Sequence, residues 1–230
     1  MNAAVDPGSI PGISTTHRAS HLLAGFLLSV ILSNVVTIRR LSEAETEKFL
    51  GFMDGPAFTS QPQWQGCYCQ EYLNTKAENE SASPESNRHR ACERITTGVM
   101  QGYLAFEQRD GEEIVVGWMA ANSHNNFRLL PPTTEDIATI ICFSVEAESQ
   151  GKGVATSLLE FAIADLPEQG YSKVQAAPLA NGEFAKWGYR GPLSLYKKFG
   201  FTEGPMLDEQ HVLVTRELWK NPARPNPAGF

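Results

Sequence analysis

A chain of 230 residues with 42% hydrophobic and 20% charged residues carries enough apolar material for one packed domain with a tail. Its formal net charge of -7 excludes a general nucleic-acid binder, which needs surplus Lys and Arg for phosphates, and mildly favours a cationic partner such as an amine. The four cysteines, at 67, 69, 92 and 142, are too few and too irregular for a disulfide framework, so a reducing, cytoplasmic setting is expected. Cys67, Cys69 and Cys92 with His89 offer four ligating groups, but structural zinc sites pair ligands about two to four residues apart. Buried or reduced thiols, and no metal, are expected.

Residues 1–35 differ in character from the rest. Met1 to Thr16 is rich in Ala, Gly, Ser and Pro and has no period, and an apolar run follows from Leu22 to Leu32. As a helix this run rises roughly 16 Å, short of a bilayer of about 30 Å. It has the length of a signal-peptide core, with His17 and Arg18 as a thin basic flank, but no small-x-small cleavage site follows. Pro7-Gly8-Ser9-Ile10-Pro11-Gly12 resembles the product of a reading frame through the T-arm of a tRNA gene. The expectation is a natural start near Val35 or Val36, with a loosely packed tail and an export or anchoring segment as alternatives.

From Val36 the pattern alternates between strand and helix. Val36 to Leu41 alternates apolar and polar, a strand. Ser42 can cap a helix from Glu43 to about Met53, with Glu45 at the capping-box position. A second helix is expected over Trp64 to Tyr72, a polar disordered loop over Lys76 to Ser86, and a helix over Arg88 to Met100. Gly102–Glu107 and Glu113–Ala120 read as strands, and Asp110-Gly111 between them is a hairpin signal. After a loop from Asn122 to Glu135, Ile137 to Val145 is almost wholly apolar, as a strand covered on both faces should be. A helix from Gly153 to Leu166 stopped by Pro167, a strand over Lys173–Ala177, a short helix over Pro192–Phe199 and a strand over His211–Leu218 complete an α/β domain with a mixed sheet, residues 36–220. The Pro-rich stretch 221–230 should be disordered.

The most informative segment is Val145 to Ala155, where a buried strand gives way to Gln150-Gly151-Lys152-Gly153-Val154-Ala155 and a helix begins. The first backbone N–H groups of a helix lack intrahelical partners, and with the helix dipole they bind anions such as a pyrophosphate. Glycines at 151 and 153 let such an anion approach the backbone, small Ala155 avoids crowding it, and Lys152 can add charge. A plain strand-to-helix connection would also use glycine, so the loop alone leaves both readings open.

Gln150-x-x-Gly153-x-Ala155 resembles the acetyl-CoA signature of the GNAT superfamily of N-acetyltransferases, and Leu195-Tyr196-Lys197-Lys198-Phe199-Gly200-Phe201 resembles that family's second signature, Tyr-x-x-x-Gly-Phe. Cys67-Tyr68-Cys69 and Cys142-Phe143-x-Val145 are similar to a GNAT subgroup with a Cys-aromatic-Cys element. The resemblance implies a GNAT fold, a central mixed twisted sheet of about six to seven strands flanked by about four helices. It implies acetyl-CoA as co-substrate, bound by Phe143, Val145, Gln150, Gly151, Lys152, Gly153, Val154 and Ala155, with an amine acceptor and no membrane or nucleic-acid partner. Homodimers are common in the family.

The same resemblance assigns the Phe143 N–H to the thioester oxygen, the Val145 backbone to the pantetheine arm, and Tyr196 to proton donation toward the departing thiolate. A phenol, with a pKa of about 10, is protonated at neutral pH and suited to that last step. Some members carry a glutamate where this chain has Thr139, and no general base is assigned. Asp136, Glu135, Glu183 and Glu71 are the nearby acids. Asn181 is a candidate cofactor contact, and Trp187 and Tyr189 are candidates for an acceptor pocket, against simple packing on the sheet. The alternative function is an acyl-CoA-binding sensor without catalysis.

Overall fold

A computed structural model describes residues 36–180 and 188–219. The apolar run at 22–32, the Pro-rich tail, and Asn181, Glu183 and Trp187 lie outside the described residues. Seven strands form one mixed sheet: β1 (Thr37–Arg40), β2 (Gly102–Arg109), β3 (Glu112–Ser123), β4 (Ile137–Val145), β5 (Lys173–Ala176), β6 (Thr202–Met206) and β7 (Val212–Glu217). Their order is β1-β2-β3-β4-β5-β7-β6. Every neighbouring pair is antiparallel except β4 and β5. The described helices are α1 (Thr46–Asp54), α2 (Lys76–Glu80), α3 (Pro84–Thr96), α4 (Val154–Asp165) and α5 (Leu193–Lys198).

The sheet separates two apolar layers. On one face α4 and α5 bury Leu158, Leu159, Ala162 and Tyr196 against Tyr103, Met119 and Ile140. On the other, Phe49 and Met53 of α1 and Ala91 and Ile95 of α3 pack on Leu104, Trp118 and Ile141. Strand β4 lies between both layers, which is why its sequence is apolar at nearly every position. The hairpin between β2 and β3 turns on Asp110 and Gly111, both with positive φ (51° and 85°), as a two-residue primed turn requires.

Three expectations are corrected. Trp64 to Tyr72 forms no helix: a 3-10 turn at Pro62–Trp64 runs into successive turns in which Tyr68 and Cys69 take left-handed φ values of 47° and 53°. Lys76 to Ser86 is ordered, because Thr75 with Glu78 and Ser83 with Ser86 form two reciprocal caps that start α2 and α3. Ser42 does not cap backbone: its hydroxyl donates to the Glu45 carboxylate, and a 3-10 turn precedes α1. Pro167 ends α4 but lies inside a following 3-10 turn, Leu166–Gln169, where its missing N–H costs nothing. Strand β6 gave no signal. All five of its residues are exposed, and Pro205 is tolerated because it lies on the sheet's edge.

Glu113 of β3 ties the β1 end of the sheet to α1. It accepts two hydrogen bonds from Arg39 (2.8 and 2.6 Å) and one from Lys48 (2.7 Å). Those bonds, Arg39's first, hold its carboxyl at about 2, below the ordinary 4.5. A depressed folded-state pKa stabilises above the unfolded value, and that stability disappears as pH falls through the folded one. Glu113→Gln should therefore lower the melting temperature at pH 7 by ~2–4 °C, the size of a 1 kcal/mol loss. The gap from the parent should close as pH is taken from about 4.5 to about 2. Thermal melts across that range check it.

Candidate active site

Strands β4 and β5 run side by side only from Ile137 to Ile140, opposite Lys173 to Ala176. β5 then ends while β4 continues to Val145. Toward β3 the pairing persists, and the N–H of Glu146 donates to the Val116 carbonyl at 3.1 Å. Because backbone groups alternate sides along a strand, those of Phe143 and Val145 face away from β3, into the space β5 has vacated. A cleft of about 830 Å³ occupies that space.

Among the residues read from sequence as cofactor ligands, Phe143, Val145, Gln150, Gly151, Gly153, Val154 and Ala155 line the cleft. Lys152 is exposed and does not. Gly151 and Gly153 adopt φ of +73° and +88°, a left-handed conformation that a Cβ would strain. A Cβ on Gly153 would meet nothing within 4 Å, so backbone conformation, not space, demands glycine there. Gly153 offers no side chain to cap α4, leaving its first N–H groups without a side-chain partner where Gly153, Val154 and Ala155 line the cleft. The Gln150 amide donates to the Val145 carbonyl (3.1 Å) and to Ser60 Oγ (3.0 Å), fixing the loop to the strand end. Arg109 anchors the preceding turn through Glu107 (2.8 Å), Ser149 (2.9 Å) and the Glu146 carboxylate. Phe58 and Ser60 also line the cleft and were not read from sequence. Phe58 ends a 3-10 turn at Pro56–Phe58 and Ser60 follows it, a stretch that leaves no periodic signal.

Tyr196 is fully buried on α5. Its ring makes edge contacts with Phe143 and Phe201, at centroid distances of 6.4 and 5.2 Å, and its hydroxyl donates to the Arg190 carbonyl at 2.7 Å. Burial pushes its pKa well above the ordinary phenol value, against the opposing charge of Arg190. Tyr196 is not among the lining residues, whereas Tyr189 is. The rings of Phe143 and Tyr196 leave only 3.3–3.5 Å for a Cβ at Gly191, so this glycine seats the two aromatics together.

Between Ile140 and Cys142 the register against β3 slips by one residue, a bulge at Ile141. The bulge reverses the side-chain phase: Ala138, Ile140 and Phe143 face the α4 layer, whereas Ile141 and Cys142 face the α1 layer. On the α1 side a second cavity, of about 120 Å³, is lined by Cys67, Cys69, Cys142 and Glu71, with Tyr72 and Tyr189 among its aromatics. Cys69 Sγ accepts from Trp118 Nε1 at 3.1 Å and is hydrogen-bonded to Cys142. Burial pushes the Cys67 thiol up to about 12. His89 instead faces Glu93 at 3.3 Å on exposed α3. Among the described residues no cluster of His, Cys, Asp or Glu could hold a metal ion.

Thr139 carries no acid into the site. It is buried and hydrogen-bonded to His124 Nδ1 (2.9 Å) and Gln175 Nε2 (3.1 Å), while His124 Nε2 reaches the Pro131 carbonyl (2.7 Å). His124, alone in a polar loop, gave no sequence signal for this arrangement. Glu135 pairs with Lys173 at 2.8 Å, and neither it nor Asp136 lines a described cavity.

A family model, acetyltransferase (GNAT) family, matches residues 64–201. The chain belongs to this family and is an acetyl-CoA-dependent acetyltransferase. Its fold is similar to those of the ribosomal-protein-alanine N-acetyltransferase from Brucella melitensis (17% identity, TM-score 0.50, 79% of this chain and 99% of that one) and the PaiA N-acetyltransferase from Thermoplasma acidophilum solved with coenzyme A (14%, 0.50, 80% and 99%). It is also similar to the GNAT domain of S. lividans PAT (18%, 0.50, 80% and 90%). At these identities the likeness concerns the fold. No curated protein gives a significant match. No helix among the described residues is long and apolar enough to cross a membrane.

The seat of α4 depends on Gly117 of β3, where a Cβ would lie 2.6 Å from Val154 Cγ1. Gly117→Ala should displace the first turn of α4 at an overpacking cost of about 1–3 kcal/mol. The expected result is a lower melting temperature together with weaker acetyl-CoA binding, measured by thermal melt and calorimetric titration.

Proposed function

We propose that this chain transfers the acetyl group of acetyl-CoA to a primary amine of a small molecule or protein by direct attack within a ternary complex. The observation that carries the reading is the β4 edge at Phe143 and Val145, which no neighbouring strand covers, beside a glycine-bracketed helix N-terminus with no side-chain cap. The pyrophosphate takes the N–H groups of Gly151, Gly153, Val154 and Ala155, where the helix dipole favours negative charge. Gln150 holds that loop in place. The pantetheine arm adds to β4 as a further strand, on the Val145 backbone groups. The Phe143 N–H then faces the thioester oxygen and stabilises the negative charge that develops when nitrogen attacks.

The departing thiolate needs a proton, and Tyr196 is the proposed donor. Burial keeps its hydroxyl protonated, and one exchange of its bond to the Arg190 carbonyl redirects it toward the cleft. The amine attacks in its neutral form, and no side chain is assigned to deprotonate it. The proposed setting is cytoplasmic, supported by four unpaired cysteines.

Calorimetric titration with acetyl-CoA tests the cofactor site. Binding should be seen in the parent and weakened at least about tenfold in Gly153→Asp, which puts a carboxylate and a strained φ beside the pyrophosphate. Absence of binding in the folded parent removes the reading. Tyr196→Phe should bind acetyl-CoA as the parent does and lose about 10²–10⁴-fold in turnover, the span of general acid catalysis. Unchanged turnover takes the proton-donor role from Tyr196.

A further inference from the structure

Three cavities share walls in this fold. The 120 Å³ cavity shares Phe58, Trp64, Cys142, Ser144 and Tyr189 with the cofactor cleft, so the two abut where β4 bulges. At its other end it shares Trp64, Cys67 and Glu71 with an outer groove of about 460 Å³, whose walls include Gln63, Gln65, Asn79 and Asn87. The small cavity therefore borders both the outer groove and the cleft where the thioester would lie.

Its chemistry is selective. An apolar cavity of about 150 Å³ holds a benzene ring, so this one takes a ring or a short alkyl group and excludes a sugar or a folded peptide. Phe58, Phe127 and the rings of Tyr72 and Tyr189, over which the Arg190 guanidinium already lies at 5.4 and 5.5 Å, suit an apolar body. Glu71 is the one charged side chain among the described residues lining either the cavity or the groove. Glu71 is exposed and lines both the cavity and the groove, which places it where the two adjoin. A lone ammonium group entering so apolar a space loses hydration and needs an anion to replace it. A single carboxylate serves a single positive charge, and a polyamine or aminoglycoside would bring several.

Resting on the acetyltransferase reading, we propose that the acceptor is a monocationic primary amine on a compact apolar body, an alkylamine or aralkylamine. It enters by the groove, is held at the mouth by Glu71, and seats its body among the aromatics behind β4.

The full chain is assayed with acetyl-CoA against butylamine, phenethylamine, spermidine, kanamycin and a peptide with a free N-terminus, with acetyl-CoA affinity measured in parallel. Butylamine and phenethylamine should exceed the other three in kcat/KM by at least about tenfold, the value of one charge-assisted contact. Glu71→Gln should raise KM for phenethylamine about tenfold and leave acetyl-CoA affinity unchanged. Ala120→Leu, which fills the cavity wall, should reject phenethylamine more strongly than butylamine. Its acetyl-CoA affinity reports whether the variant has folded. Preference for spermidine, kanamycin or the peptide overturns the proposal and leaves the acetyltransferase reading intact. So does an unchanged KM in Glu71→Gln. Absence of acetyl-CoA binding in the folded parent overturns both.

Discussion

Backbone N–H and C=O groups inside a protein must find partners, and β4 meets that constraint on one side only. Toward β3 its pairing continues to its last residue, while toward β5 it stops at Ile140. The groups of Phe143 and Val145 are left facing a cleft, which a ligand with amides of its own could occupy as a strand would. Much of the surrounding structure keeps that gap open and shaped. Arg109 fixes the turn leaving β4, Gln150 ties the glycine loop back to Val145, and Gly117 lets Val154 sit hard against the sheet. On the far wall, Gly191 brings Phe143 and Tyr196 together behind the cleft.

The fold was legible where burial writes itself into the chain. β4 was bounded correctly at Ile137 and Val145 because both faces are covered and all but Thr139 and Ser144 are apolar. The Asp110-Gly111 turn was legible because few residues other than glycine and its nearest substitutes accept positive φ. Reading failed where structure rests on side-chain caps or tertiary contact. The Lys76–Ser86 stretch looks like disorder by composition, yet two capping boxes and Arg94, which donates to Asn74 at 2.6 Å, order it. Trp64 to Tyr72 has a helix-like spacing of aromatics that the fold uses to wall a cavity instead.

The candidate site divides the same way. The Gln150–Ala155 loop was readable as a strand-to-helix connection, because Gly151 and Gly153 stand where the backbone takes left-handed φ values. The Thr139–His124–Gln175 cluster was not readable, since its members come from β4, the following-turn region of β3 and β5, brought together only by the sheet. Tyr196 was readable as a motif. Its hydrogen bond to Arg190 belongs to three dimensions and changes what the residue must do to act: it has to exchange one oxygen for another.

The bulge at Ile141 makes β4 two strands in one. Before it, even-numbered side chains enter the α4 layer, and after it odd-numbered ones do. The first half of the strand is thus phased for architecture, in step with β5. The second half is phased so that Phe143 and Val145 turn to the α4 side while Cys142 and Ser144 turn to the other. A single added residue works here as a frameshift in space: beyond it, each face of the strand carries a set of side chains that an unbroken strand would have sent to the other side.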